Sequence, residues 1–344
     1  MLLHVTRPGV VAPVAVDPTG LTGPTRKQAR GPRWRGTSAN RFVPAGVDPT
    51  GLEQRIVEAI AGAPDGAAVT GWAALAWNGG RWFTGTTATG APMPVPIAID
   101  DHRTLVRVPG ALACHDWLFD GEVTTVDGIP ITVPERSLSF ALRRALSDRS
   151  AIELIDMAYF DDLTSPELFG RHLARLRSRP GVRRARRAFG RADENAWSPM
   201  ESVMRCLWEE AGLDLPLTNP PVFDRDGKHL LTPDLLDPTA GVAGEYYGAV
   251  HAGLGPRRRD LVREDLYRDT GIELVPMMST DMRDTGQFVR RLHRAYGRAS
   301  ARGADPDRRT WTLEQPDWWV DTSTVERRRA LSAYERATWL RHRS

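Results

Sequence analysis

Lysine is almost missing from this 344-residue chain: of 46 basic residues only Lys27 and Lys228 are lysines, and the rest are arginines. Cysteine is nearly as scarce. Cys114 and Cys206 stand far apart, with no CxxC spacing and no nearby histidine pair. That excludes a disulfide-stapled scaffold or a zinc ribbon and makes a reducing cytoplasm the expected setting. No uncharged apolar run approaches the roughly eighteen residues of a membrane span, and the start, Met1 to Val16, reads poorly as a signal peptide because it carries Arg7 and two prolines. No membrane partner is therefore expected. The net charge of +3 is too small to announce a nucleic-acid binder by itself.

With 41% apolar and 26% charged residues, the balance is that of a soluble globular protein long enough for two or three domains. The arrangement of the charges says more than their sum. Between Thr22 and Arg41 lie six basic residues (Arg26, Lys27, Arg30, Arg33, Arg35, Arg41) and no acid; between Arg171 and Arg191 lie nine arginines and again no acid. Such runs can neutralise phosphates, although a charge run is more often a solvated face.

The first twenty residues show no helical period and read as a loose arm. The hexapeptide VDPTGL at 16–21 recurs at 47–52 and marks two turns rather than a repeat fold. Leu52 to Ala63 has helical spacing, and Val69 to Leu75 reads as a buried element. Pro94 to Ile99 and Thr104 to Val108 read as strands, and Val123 to Val133, with Asp127-Gly128 at its centre, as a hairpin. Helices are expected over 135–147, 150–158 and 165–177, then a polar linker at 191–197. Ser198-Pro199-Met200-Glu201 is a helix start, with Ser as N-cap and Glu three residues on. Strands at 221–225, 229–236 and 241–247, a helix at 256–269, a strand at 272–278 and a helix at 284–298 follow, with a further helix from Ser323. The division expected is an arm with a winged-helix element at 1–63, an α/β region at 64–192, an α-β-β-β-α-β domain at 198–299 and a basic tail at 300–344, a mixed α/β (α+β) chain overall.

In the third of these domains Asp234, after Pro233, and Glu245, eleven residues later, fall on successive strands. A hairpin of that length brings two carboxylates to one pocket, a donor set suited to Mg²⁺, which can activate water and stabilise charge on a phosphate. Glu201 is a third candidate carboxylate.

The segments SPMES (198–202), AGL (211–213), TPDLLDP (232–238), GEYYGAVH (244–251), RRRDLVREDL (257–266) and GIELVPM (271–277) resemble the very-short-patch-repair (Vsr)-like branch of the PD-(D/E)xK nuclease superfamily, in actinobacterial proteins that carry such a domain at the C-terminus. Upstream, GPRWRGTSANRFVPAG (31–46), EQRIVEAI (53–60) and VTGWAALAW (69–77) resemble the N-terminal half of those proteins, which is similar to AbiEi-type antitoxins. The resemblance implies a restriction-endonuclease-like fold at 198–299, Mg²⁺ or Mn²⁺ as cofactor held by Asp234, Glu245 and the Tyr246 carbonyl, and catalytic roles for Asp234, Glu245, His251 and Glu201. It also places Arg263 where a basic residue could meet phosphate and suggests a cognate partner protein, while Arg30, Arg33 and Arg35 of the first basic run and Arg257 are further candidate DNA contacts. The chain departs from the pattern at Tyr247, where the superfamily has lysine and this branch aspartate, and at Gly244, where a β-branched residue is usual. Tyrosine is a poor general base at neutral pH, and glycine is expected to loosen the strand.

Each of these residues also has an ordinary structural explanation: Glu201 as a capping-box partner, Asp234 as a turn starter, His251 as an exposed loop residue, Tyr247 as packing. Trp72, Trp77, Trp82 and Trp208 read as core. Three functions fit: a metal-dependent DNA endonuclease, a non-catalytic DNA-binding regulator of the antitoxin type, and an interaction module without nucleic acid.

Overall fold

The computed structural model describes residues 3–99, 105, 108–116, 118–248, 263–303 and 309–341. The chain is a mixed α/β protein that divides into two compact units, one of residues 1–145 and 166–186, the other of 146–165 and 187–344. Among the described residues no helix is long and apolar enough to cross a membrane.

In the first unit β1 (Trp34–Ser38) and β2 (Arg41–Pro44) form a hairpin, followed by α1 (Leu52–Ala61). A five-stranded sheet has β3 (Ala68–Val69) at its centre, flanked by β4 (Val95–Ala98) and β5 (Ala111–Cys114) on one side and β7 (Ile129–Thr132) and β6 (Val123–Val126) on the other. The β6–β7 turn matches its sequence: Asp127 and Gly128 both have positive φ, as a two-residue hairpin loop requires. Helices α2 (Gly71–Trp77), α3 (Pro134–Arg143) and α5 (Pro166–Arg175) complete this unit. The strand expected at 104–108 falls largely outside the described residues.

The N-terminal arm is docked rather than loose. Val14 exchanges both backbone hydrogen bonds with Phe42 at 2.9 Å, and the Arg7 guanidinium lies 3.8 Å from the Trp77 ring centroid while donating to Asp127. Both VDPTGL copies are turns, closed by Asp17 accepting from Thr19 N–H and Asp48 from Thr50 N–H. Trp72, Trp77 and Trp208 are core residues as expected, but Trp82 is 43% exposed.

The second unit opens with α4 (Asp148–Phe160); α6 (Val182–Phe189) then runs across the division at 186. The segment 191–197, expected as a linker, is built into the fold. Its Asn195 is buried and donates to the carbonyls of Thr218 and Asn219, and its Asp193 accepts from Thr218. Helix α7 (Pro199–Glu210) begins at Ser198, whose hydroxyl accepts from Glu201 N–H at 3.3 Å. The strands are β8 (Leu217–Thr218), β9 (Val222–Asp224), β10 (His229–Leu231), β11 (Leu235–Asp237), β12 (Val242–Tyr247) and β13 (Glu273–Met278). The helix 263–270, α8 here, stands between β12 and β13, which pair in parallel. Then come α9 (Thr285–Arg302), β14 (Trp311–Thr312), α10 (Val325–Ala330) and α11 (Ala333–Trp339).

Two sheets result, ordered β13-β12-β11-β8 and β10-β9-β14. The single strand expected at 229–236 is therefore two strands in different sheets. Pro233 sits at the break, where a residue without N–H cannot continue a ladder. The basic tail is likewise part of the fold: β14 pairs with β9, and Arg328, fully buried, donates to Asp162 and to the carbonyls of Tyr159 and Thr322.

Side-chain alternation gives the four-stranded sheet two covered faces. Leu235, Val242, Val275 and Met277 pack against Met204, Leu207 and Trp208 of α7 and Phe288, Leu292 and Ala295 of α9. Leu236 and Ala243 point the other way, to Tyr267 of α8, Ile272 and Trp311. Gly244 loosens nothing. It holds its place in the ladder between Leu235 and Val275, and a Cβ there would come to 3.0 Å of Trp208 and 3.1 Å of the Met204 sulfur. The strand needs glycine because the α7 core presses on it.

A candidate acid cluster in the second unit

The β11–β12 register pairs Leu235 with Gly244 and Leu236 with Ala243. One step further along the same antiparallel register, Asp234 faces Glu245. By alternation both side chains lie on the Leu236/Ala243 side, toward α8. Asp234 thus stands just before β11 and not on the expected second strand, and it accepts the Tyr246 N–H on Oδ2 at 2.7 Å. Tyr246, proposed from sequence as a carbonyl ligand, enters this cluster through its amide.

Glu201 arrives by way of Asn219. At the end of β8, Asn219 adopts a left-handed φ of 47°, a conformation asparagine tolerates better than most residues. Its N–H donates to the Asp234 carbonyl at 2.9 Å, and its side-chain amide donates to Glu201 Oε2 at 2.6 Å. The same Glu201 oxygen accepts Trp197 N–H at 2.7 Å. Glu201 is therefore more than a capping residue: its carboxylate fastens helix α7 to the strand end that carries Asp234. Burial, then the negative charges of Glu201 and Glu245, push the Asp234 carboxyl well above the usual carboxylate range, against the Tyr246 N–H and Arg263. Asp234 is thus near enough to feel both of the other acids.

Glu245, 4% exposed, is nonetheless committed to other groups. Its Oε1 accepts Arg263 Nε at 2.6 Å and the Tyr267 hydroxyl. The guanidinium is anchored from its other side, Nη2 donating to the Thr232 carbonyl at 2.6 Å. Arg263 and Tyr267, one turn apart on α8, present one helix face to a single carboxylate oxygen. Burial and the Glu245 charge raise the Tyr267 hydroxyl well above its ordinary value, so it stays protonated as a donor. Beyond Thr232, its hydroxyl meets His229 Nε2 at 3.0 Å, and His229 stacks on Trp319 at 5.1 Å between centroids. Burial lowers the His229 pKa, and the Arg263 charge acts in the same direction.

Of the sequence candidates, Glu201, Asp234, Glu245, Tyr246 and Arg263 are brought together. His251 and Arg257 lie outside the described residues. Arg263, expected to meet phosphate, is here the ion-pair partner of Glu245. Tyr267, Asn219 and the Thr232 carbonyl were not anticipated. Only Tyr267 left a trace in the sequence, its spacing of four from Arg263.

These residues do not fit a metal centre as they stand. Among the described residues no group of three or more His, Cys, Asp or Glu side chains is disposed to hold a metal ion. The carboxylates are also engaged: Glu245 offers Oε1 to a guanidinium and a phenol, and Glu201 offers Oε2 to an amide and a backbone N–H. Tyr247, half-buried at the end of β12, supplies no carboxylate in their stead.

In the first unit Arg35 is also paired, its two Nη atoms meeting Glu58 at 2.9 and 2.6 Å. Arg26, Lys27, Arg30 and Arg33 are exposed, and among the described residues no acid stands against them. The second arginine run is largely tied down: Arg171, Arg175, Arg187 and Arg191 face Glu167, Glu122, Asp148 and Glu209.

No family model matches the chain, and no solved structure matches it. It is similar to uncharacterized proteins from two strains of Mycobacterium tuberculosis, each 32% identical over 133 residues, which is 38% of this chain and 49% of the relative. The chain thus spans about half the length of the curated relatives it matches.

A second buried polar cluster, in the first unit, joins Glu122 to His172 at 3.3 Å and His172 to the Ser139 hydroxyl at 3.1 Å. This order of groups is that of a hydrolytic triad. However, Ser139 is 1% exposed on α3 and its hydroxyl donates to the Arg136 carbonyl, so it is a core network and not a nucleophile.

Proposed function

We propose that this chain binds DNA without cleaving it, in the manner of a regulator. The observation that carries the reading is the group of four exposed cations, Arg26, Lys27, Arg30 and Arg33, around the short helical turn Gln28–Arg30 with no acidic partner among the described residues. Phosphate contacts of this kind position a duplex and supply affinity without reading bases. The bonding of Glu245 to Arg263 and Tyr267 supports the non-catalytic half of the proposal, as does Tyr247 in place of a carboxylate or lysine. The resemblance of residues 31–77 to antitoxin N-terminal regions points the same way, with a cognate protein as a further partner.

The test joins two measurements on one preparation: fluorescence anisotropy with duplex DNA at several salt concentrations, and incubation of plasmid with Mg²⁺ or Mn²⁺. Salt-sensitive binding without cutting is expected. Cutting by the wild type that disappears in an Asp234→Ala, Glu245→Ala double variant removes this reading. A metal-dependent endonuclease of the Vsr type is the second reading, favoured by the convergence of Glu201, Asp234 and Glu245. The same experiment decides between them.

A further inference from the structure

We propose that Arg263 is the built-in counter-cation of the acid cluster, holding the position that a divalent ion would otherwise take between Asp234 and Glu245. This goes beyond the DNA-binding reading, because it concerns the acid cluster alone.

The argument is geometric. Two nitrogens of one guanidinium reach Glu245 Oε1, Nε at 2.6 Å and Nη2 at 2.5 Å, and Tyr267 fills a further lone-pair direction of the same oxygen. Nη2 also bonds the Thr232 carbonyl, two residues before Asp234, so the cation bridges the two chain segments that carry the acids. Mg²⁺ demands near-octahedral oxygen ligation at about 2.0–2.1 Å. To take Glu245 Oε1 it would have to displace a guanidinium and a phenol and then sit beside the cation it displaced. Arginine stays charged at any ordinary pH, so this counter-charge cannot be switched off by losing a proton. Removing the guanidinium leaves the buried Glu245 beside Asp234, two carboxylates that supply hard-oxygen ligands to a divalent cation whose shell water can complete.

Mn²⁺ is the probe, titrated into the full-length protein by calorimetry and followed by its effect on the melting temperature. Wild type is expected to show no saturable site that depends on Glu245. Arg263→Gln is expected to gain one saturable Mn²⁺ site and to melt higher when Mn²⁺ is present, and Arg263→Gln combined with Glu245→Gln to lose both effects. A wild-type Mn²⁺ site abolished by Glu245→Gln overturns the proposal, and so does a folded Arg263→Gln that gains no site. Arg263→Met, which keeps the packing of the stem, serves if the glutamine variant does not fold. If neither folds, the wild type decides through NMR of the arginine Nε–H groups. A protected Arg263 resonance unmoved by Mg²⁺ upholds the proposal, and its loss on adding Mg²⁺ overturns it. DNA binding measured on the same samples is a separate readout, so failure there leaves this conclusion untouched.

Discussion

Arg263 Nε lies 2.6 Å from Glu245 Oε1, and that bond, with those of Arg263 Nη2 and the Tyr267 hydroxyl to the same oxygen, joins helix α8 to the strand β12. Removing one partner of such a pair leaves the other desolvated. Glu245→Ala should therefore cost about 1–3 kcal/mol, the lower part of the range being favoured because Arg263 is partly exposed. Combining it with Arg263→Met should recover part of that loss. Urea denaturation of the two singles and the double gives the coupling energy; additive losses would show that the pair does not interact.

The two kinds of arginine near the N-terminus should behave differently. Replacing Arg26, Lys27, Arg30 and Arg33 with glutamine should weaken DNA binding and flatten the dependence of log K on log salt by about 0.9 for each phosphate no longer neutralised. Arg35→Gln should leave the slope alone and lower stability instead, since it breaks the Glu58 pair. Anisotropy titrations from low to moderate salt separate the two, and an unchanged slope in the fourfold variant counts against the proposed DNA face.

Gly244→Val restores the β-branched residue the strand pattern leads one to expect, yet it should destabilise the second unit by about 1–3 kcal/mol through overpacking. Its side chain would enter the space held by Trp208 and the Met204 sulfur. Gly244→Ala should cost less. A valine variant as stable as wild type would mean that α7 yields to the larger side chain.

Helix α4 carries a pH-dependent contribution. Burial, with Asp156 adding to it, pushes the Glu153 carboxyl up to about 7 from its ordinary 4.5. A carboxyl that binds its proton more tightly when folded favours the folded state most below its unfolded pKa. That stability is complete below about pH 4.5 and is lost as the pH rises through 7. Glu153→Gln does not titrate, so its melting temperature should gain on that of wild type between pH 5 and pH 8. A constant difference across that range would refute the shift.

What was legible in the sequence was local. The Ser198 cap, the Asp127-Gly128 hairpin and the two VDPTGL turns depend on neighbours within a few residues, and each appears where its residues call for it. The candidate acids were legible too, as residue types at a spacing.

Their surroundings were not. Pro233 splits 229–236 between two sheets, and only pairing with distant strands shows where each half goes. The arm looks loose because its partner is remote, Val14 pairing with Phe42, and the partner of the tail's Arg328, Asp162, is more distant still. Glycine at 244 reads as a weakness until Trp208 is seen against it.

By itself the sequence determined the turns, the caps and the carboxylates available for chemistry, because local backbone preferences and side-chain types are properties of short segments. Tertiary structure alone decided that Asp234 faces Glu245 and that Arg263 and Tyr267 occupy the same carboxylate oxygen. Register and helix docking are set by burial over the whole sheet, and no short segment contains that information.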